Sequence, residues 1–240
     1  QRQMCIRDSS DNPALTEAAK HKKVLPIYIL DDLNSKSYSM GSASRWWLYH
    51  SLLYLSKSLD GNLSIYHGNP EEILNDIIKK YEIEAVYWNR CYEPWRLARD
   101  KKIKKSLNNQ GITVKSFNAS LLWEPWNVKK NDGSPYRVFT PFYRKGCLNL
   151  EKPRQPLPPP SSINYFFDNL NSIKLDELKL LPSVKWYKKL EKYWDIGELG
   201  ANARFKQFID NGLSKYKVGR NEPSKQYLSL IHISEPTRQY

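Results

Sequence analysis

The chain has 240 residues, with 38 Lys and Arg against 25 Asp and Glu and a formal charge of +13 at pH 7. At 40% hydrophobic and 13% aromatic residues it can bury a sizeable core, which excludes an intrinsically disordered chain. No apolar run approaches the roughly eighteen residues of a membrane span, no secretory leader is visible, and Cys5, Cys91 and Cys147 lack disulfide or zinc spacing, so a soluble cytoplasmic protein is expected.

At the amino end, Met4-Cys5-Ile6-Arg7-Asp8-Ser9 can be encoded by ATG TGT ATA AGA GAC AG, whose reverse complement reads Leu-Ser-Leu-Ile-His. That is the string at Leu228-Ser229-Leu230-Ile231-His232. An inverted repeat at both edges is expected to be non-native, so residues 1–9 and 228–240 are set aside from the fold. Asn12 and Pro13 then open a helix through Ala14-Leu15-Thr16-Glu17-Ala18-Ala19. Val24 to Leu30 is a short apolar run, punctuated by Pro26, that reads as a buried strand. Ser42 to Leu59 carries Trp46, Leu48, Leu52, Leu55 and Leu59 at helical spacing, and Asp60-Gly61 stops it. Strands follow at Leu63–His67, Ala85–Asn89 and Thr113–Phe117, separated by helices opening at Pro70 and Pro94.

This alternation predicts an α/β fold, a doubly wound parallel sheet of Rossmann-like type. Such a sheet normally begins with a central strand ahead of the first helix, and that strand is expected to be missing, leaving its neighbours with unpaired edges. The expected organisation is an α/β domain over residues 10–130, an interdomain linker over 131–182 and the start of a helical domain over 183–227. The linker reading rests on Pro153, Pro156, Pro158, Pro159 and Pro160 in a stretch of little periodicity.

Ligands in doubly wound sheets bind outside the carboxyl ends of the strands. Asp31-Asp32, His67-Gly68-Asn69 and Asn89-Arg90-Cys91-Tyr92-Glu93 all follow strands, and no glycine-rich phosphate loop accompanies them. Each reads either as a crevice residue or as a helix cap or loop residue. The acidic pair could hold a metal, but without convergent histidines a capping role is favoured, so no metal site is expected. The surplus of positive charge fits a polyanionic partner, whereas runs such as Lys101-Lys102-Ile103-Lys104-Lys105 also fit a solvated helix face. Eight tryptophans, at 46, 47, 88, 95, 123, 126, 186 and 194, are expected mostly in the core.

Several blocks occur in an ordered series. They are Ser10-Asp11-Asn12-Pro13-Ala14-Leu15, Ala43-Ser44-Arg45-Trp46-Trp47-Leu48, Tyr87-Trp88-Asn89-Arg90 with Tyr92-Glu93-Pro94, and Ser116-Phe117-Asn118 with Glu124-Pro125-Trp126. Gly133-Ser134-Pro135-Tyr136-Arg137-Val138-Phe139-Thr140-Pro141-Phe142 and Trp194-Asp195-Ile196-Gly197-Glu198 complete the series. Together they resemble the photolyase and cryptochrome family, and look closest to bacterial class I enzymes that act on cyclobutane pyrimidine dimers.

That resemblance implies an antenna-binding α/β domain, a helical FAD-binding domain, and light-driven splitting of pyrimidine dimers in damaged DNA by an electron from reduced FAD. A blue-light photoreceptor is the alternative it allows. It also implies a monomer, and an inactive fragment lacking most of the flavin site, the electron-relay tryptophans and the dimer pocket. Tyr216 sits where the family places an FAD-contacting tyrosine. For the second, antenna chromophore the carry-over is poorer: Cys91 stands where deazaflavin-binding relatives have Asp, and Trp95 and Arg96 replace the Asn and Glu of folate-binding ones. Arg45, Asn89 and Glu93 are the candidates for lining that crevice, whose chromophore is left open. No residue of the chain is expected to be catalytic.

Overall fold

A computed structural model describes residues 10–35 and 38–222. Both terminal segments expected to be non-native, together with Cys5, lie outside the described residues. The chain divides into two compact units, the first drawn from the stretches Gln1–Met40 and Leu55–Leu178, the second from Gly41–Tyr54 and Lys179–Tyr240. No helix among the described residues is long and apolar enough to cross a membrane.

In the first unit, strands and helices alternate as the periodicity predicts: α1 (Pro13–Ala18), β1 (Ile27–Leu30), the end of α2 (Ser42–Ser58), β2 (Ser64–His67), α3 (Pro70–Tyr81), β3 (Ala85–Asn89), α4 (Pro94–Asn109) and β4 (Thr113–Phe117). Prolines at the first helical position set the starts of α1, α3 and α4, where the missing N–H is no loss. Asn12 and Asn69 supply side-chain caps, accepting from the backbone N–H of Leu15 and Glu71.

All strand pairing among the described residues is parallel, which requires helical crossovers. β1 pairs with β2, Ile27 opposite Ser64, and β3 pairs with β4, Ala85 opposite Thr113. The expected doubly wound sheet is thus present as two parallel pairs, β1 with β2 and β3 with β4, rather than one continuous ladder. One apolar layer nonetheless serves both pairs. Leu74 and Ile78 of α3, Ile103 and Leu107 of α4 and Val114 of β4 form a buried cluster against which Ile27 and Ile29 of β1 and Val86 and Trp88 of β3 pack. Removing each such side chain from water stabilises the unit by about 2 kcal/mol.

The stretch expected to be a linker behaves differently, because residues up to Leu178 cluster with the first unit. A three-residue α5 (Phe139–Pro141) runs into a π-type turn over Phe142–Gly146, and further on the chain straps along the outer edge of β2. The N–H of Ile65 donates to Ser172 Oγ, its carbonyl accepts from Ile173 N, and Val24 bridges Tyr165 in parallel. An edge that would otherwise offer unpaired backbone groups is covered. The strap is fixed by Asp168, which is fully buried. Its Oδ1 accepts from Tyr81 Oη at 2.6 Å and from the N–H of Leu170 and Asn171, and its Oδ2 accepts from Tyr66 Oη at 2.9 Å. Proline punctuation therefore marks an extended, anchored path here, with its hydrogen bonds made to backbone and side-chain groups distant in the chain.

The second unit contains the N-terminal part of α2, α6 (Lys188–Glu191), α7 (Glu198–Asn211) and α8 (Tyr216–Gly219). Its core is aromatic: Trp46, Tyr187 and Ile196 are buried, with Trp47, Trp186 and Trp194 packed against them. Trp46 meets Trp47 edge-on at 6.1 Å, and Trp47 meets Trp194 at 5.4 Å. Tryptophan is less uniformly interior than expected, since Trp46 is the only one among the buried hydrophobics and Trp126 is exposed. An indole is too large to be enclosed often, even where most of it is covered.

Candidate functional site

The carboxyl ends of β1 and β3 bring together the side chains that the strand-end rule singles out. In the β3–α4 turn, Arg90 is held on three sides. Its backbone N–H donates to Phe117 O at 2.8 Å, its Nε to Glu124 Oε1 at 2.8 Å, and one terminal nitrogen to Ser116 O at 2.7 Å. Its guanidinium also lies 5.6 Å from the ring centre of Trp126. Tyr92 donates to the same Glu124 oxygen at 2.7 Å, and burial, reinforced by that bond to a carboxylate, pushes its hydroxyl up to about 12.

Beyond the turn, the first residues of α4 form a cation-and-ring layer. Trp95 carries the Arg96 guanidinium 4.8 Å and the Arg99 guanidinium 5.3 Å from its ring centre, within cation–π range. Arg99 reaches β1, donating to Asp31 Oδ2 at 2.9 Å, and is also paired with Asp100 at 2.7 Å. Burial works against ionisation of Asp31, but the Asn34 N–H and Arg99 outweigh it and hold the carboxyl below its ordinary range. For Asp100 burial prevails and raises the carboxyl despite Arg99. Burial likewise raises the Cys91 thiol, which Arg96 approaches at 3.5 Å, so this cysteine is not a ready nucleophile.

Asp31 closes a turn, accepting from the N–H and the side-chain amide of Asn34, and no described helix begins there. His67 lies 3.8 Å from Asp32 and is half exposed. No group of three metal-ligating side chains occurs among the described residues.

The candidate residues separate. Asn89 and Glu93 occupy the two ends of the β3–α4 turn, but Asn89 is buried and its carboxamide is committed. Its Oδ1 accepts from Ala14 N at 3.1 Å and its Nδ2 donates to Asn12 Oδ1 at 2.7 Å, which ties the start of α1 to β3. Its hydrogen-bonding groups are thus spent within the fold. Glu93 precedes Pro94 without a side-chain capping bond and stands 3.9 Å from Arg96. Arg45 and Tyr216 belong to the second unit. Arg45 is in the first turn of α2, its N–H donating to Gly41 O. Tyr216 begins α8, its ring edge-on to Phe208 at 5.9 Å with the Arg220 guanidinium 5.9 Å from its centre. The cation-and-ring layer of Trp95, Arg96 and Arg99 was not singled out from the sequence. Their spacing of one and four residues along α4 is the signal that could have found them.

Residues 9–161 match the DNA photolyase family. Over 227 residues the chain is 40% identical to the deoxyribodipyrimidine photo-lyase of Agrobacterium fabrum, covering 92% of this chain and 47% of that protein. It is 37% identical to cryptochrome-1 of Arabidopsis thaliana, covering 92% of this chain and 33% of that one. The crystal structure of a bacterial class III photolyase from Agrobacterium tumefaciens superposes with a TM-score of 0.85 at 38% identity, over 95% of this chain and 48% of that one. That relative is described as class III, where the sequence blocks look closest to class I. The chain spans about half the length of the photo-lyase it matches. With a family match over more than half of its residues, the chain belongs to the DNA photolyase family.

Proposed function

We propose that this chain is part of a light-dependent DNA-repair enzyme that splits cyclobutane pyrimidine dimers. The observation that carries this reading is the 40% identity to a deoxyribodipyrimidine photo-lyase, sustained over 92% of the chain. Bound FAD would supply the electron that opens the dimer, chemistry no side chain provides. Among the residues present, Tyr216 fits a place beside that cofactor. It is a partly exposed phenol, its ring held by Phe208, with the Arg220 cation alongside to favour an anionic group. A second, light-harvesting chromophore fits the rim formed by Glu93, Trp95 and Arg96, where an aromatic face and cations meet at the strand ends. Damaged DNA is the partner, the protein acts as a monomer, and its setting is the cytoplasm.

A photoreceptor role is the second reading, favoured by the 37% identity to cryptochrome-1. Joining this chain to the carboxyl-terminal half of the Agrobacterium photo-lyase separates the two. Blue light should then restore a dimer-containing oligonucleotide, and a chimera that binds flavin yet leaves the dimer intact would overturn repair in favour of signalling.

A further inference from the structure

We infer that the exposed face of residues 137–148 binds unpaired nucleic-acid bases, through the stacked rings of Phe139 and Tyr143 with Arg137, Arg144 and Lys145 as phosphate contacts. This extends the proposed function, resting on it only for the nucleic-acid class of the ligand.

The segment has an inner and an outer side. On the inner side Gly146 and Cys147 are buried, and a Cβ at residue 146 would come within 2.8 Å of Val128 Cγ1 and 3.0 Å of the Tyr136 ring. Only glycine allows so close an approach, which seats the π-type turn firmly on the first unit. Tyr136 and Phe142 add an edge-on ring contact at 6.4 Å. The outer side is apolar where solvent would favour polar residues: Phe139 is 69% exposed, Val138 64%, Leu148 55% and Tyr143 44%. Phe139 and Tyr143 lie with ring planes 4° apart and centres 5.9 Å apart, presenting parallel aromatic surface on a rigid support.

Charge decides what such surface fits. Between Asp132 and Glu151 there is no acidic residue, while Arg137, Arg144 and Lys145 lie within six residues of the rings and are all exposed. Several cations elsewhere in the unit are paired, as with Arg90 and Glu124, Arg99 and Asp31, or Lys102 and Glu71. Among the described residues none of these three forms an ion pair. Stacking rings among unpaired cations form a platform for single strands, because every base offers a π-face and every linkage a phosphate. Duplex DNA offers the phosphates without the faces.

The test is fluorescence anisotropy in the dark, without flavin, on the full chain with a labelled lesion-free oligodeoxythymidylate, the same-length duplex, and phosphatidylserine–phosphatidylcholine vesicles. The single strand should bind about tenfold more tightly than the duplex. F139A/Y143A should abolish that preference, each lost stack weakening binding at least about fivefold. R137A/R144A/K145A should flatten the dependence of log affinity on log salt by about two units, and R144E/K145E gives a second, ring-independent variant. Thermal melts of the variants should match the parent, since the substituted side chains are exposed. Unchanged single-strand preference in F139A/Y143A overturns the inference, as does binding to vesicles alone or self-association without oligonucleotide binding. Neither light nor a dimer enters the assay, so its failure leaves the repair reading untouched, and a chimera inactive in repair leaves this one standing.

Discussion

Replacing Asp168 with Asn tests whether a buried carboxylate fastens the strap to β2. The carboxyl is held down at about 2 against an ordinary 3.8. Burial alone would raise it, but the hydroxyls of Tyr81 and Tyr66 and the N–H of Asn171 and Leu170 outweigh that effect. Ionisation of this group therefore favours the folded state by about 2 kcal/mol, at 1.36 kcal/mol per pH unit. The unfolded chain takes up the proton first, so the contribution is whole above about pH 4 and disappears as pH falls towards 2. Asn is the shape of the protonated acid, so D168N should cost about 2 kcal/mol in urea unfolding at pH 7, with hydrogen exchange rising first over residues 164–173. Between pH 4 and pH 2.5 the gap between D168N and the parent should narrow, because the unfolded parent takes up its proton over this range while the folded carboxylate stays largely ionised. Asp168→Ala, which strands two tyrosine hydroxyls, should cost more, about 3–5 kcal/mol. A D168N gap that stays constant down to pH 2.5, or one under about 0.5 kcal/mol at pH 7, refutes the carboxylate as the fastening group.

Three further outcomes are expected. N89A leaves the Ala14 N–H and the Asn12 side chain without their buried partner, and should cost about 1–3 kcal/mol with faster exchange at Ala14; urea titration showing no loss would return Asn89 to the ligand-contact role. His50 packs edge-on to Trp46 at 5.5 Å with its Nε2 buried and no hydrogen-bond partner among the described residues, and burial pulls its pKa below 6.5 despite the opposing pull of Glu191. The unfolded ring protonates first, so the second unit should be most stable above about pH 6.5 and lose stability as pH falls below it, a loss that H50F should reduce in melts at pH 7.5 and 5.5. Gly146→Ala should lower stability by about 1–3 kcal/mol by forcing Val128 and Tyr136 aside, and an unchanged melting temperature would show that the turn is not tightly seated.

Much of the first unit was legible because its signals are local. Pro70 and Pro94 mark helix starts, apolar residues repeat with helical period through Leu74, Ile77 and Ile78, and the run ending at Leu30 has the length of a buried strand. Pro26 precedes β1, so its missing N–H interrupts no ladder, and its carbonyl still accepts from Ser64. What could not be read depends on partners far away in the chain. Asp168 meets Tyr66 and Tyr81 across 102 and 87 residues, and Arg99 meets Asp31 across 68. A single carboxylate in a proline-punctuated stretch carries no periodicity to announce that it will be buried.

The strand-end rule selects residues by position alone and is silent on their competing hydrogen bonds. Position after a strand brings Asn89 and Glu93 to the right edge, but whether a side chain faces a ligand depends on what else competes for its hydrogen bonds. Asn89 can both donate and accept, and the start of α1 offers an N–H at Ala14 and an acceptor at Asn12, so its capacity is consumed inside the fold. Arginine cannot be satisfied so completely by one neighbour. Arg96 and Arg99 keep guanidinium surface against Trp95 even while paired with carboxylates, and that residual capacity, more than proximity to a strand end, distinguishes groups available to a ligand from groups that hold the site together.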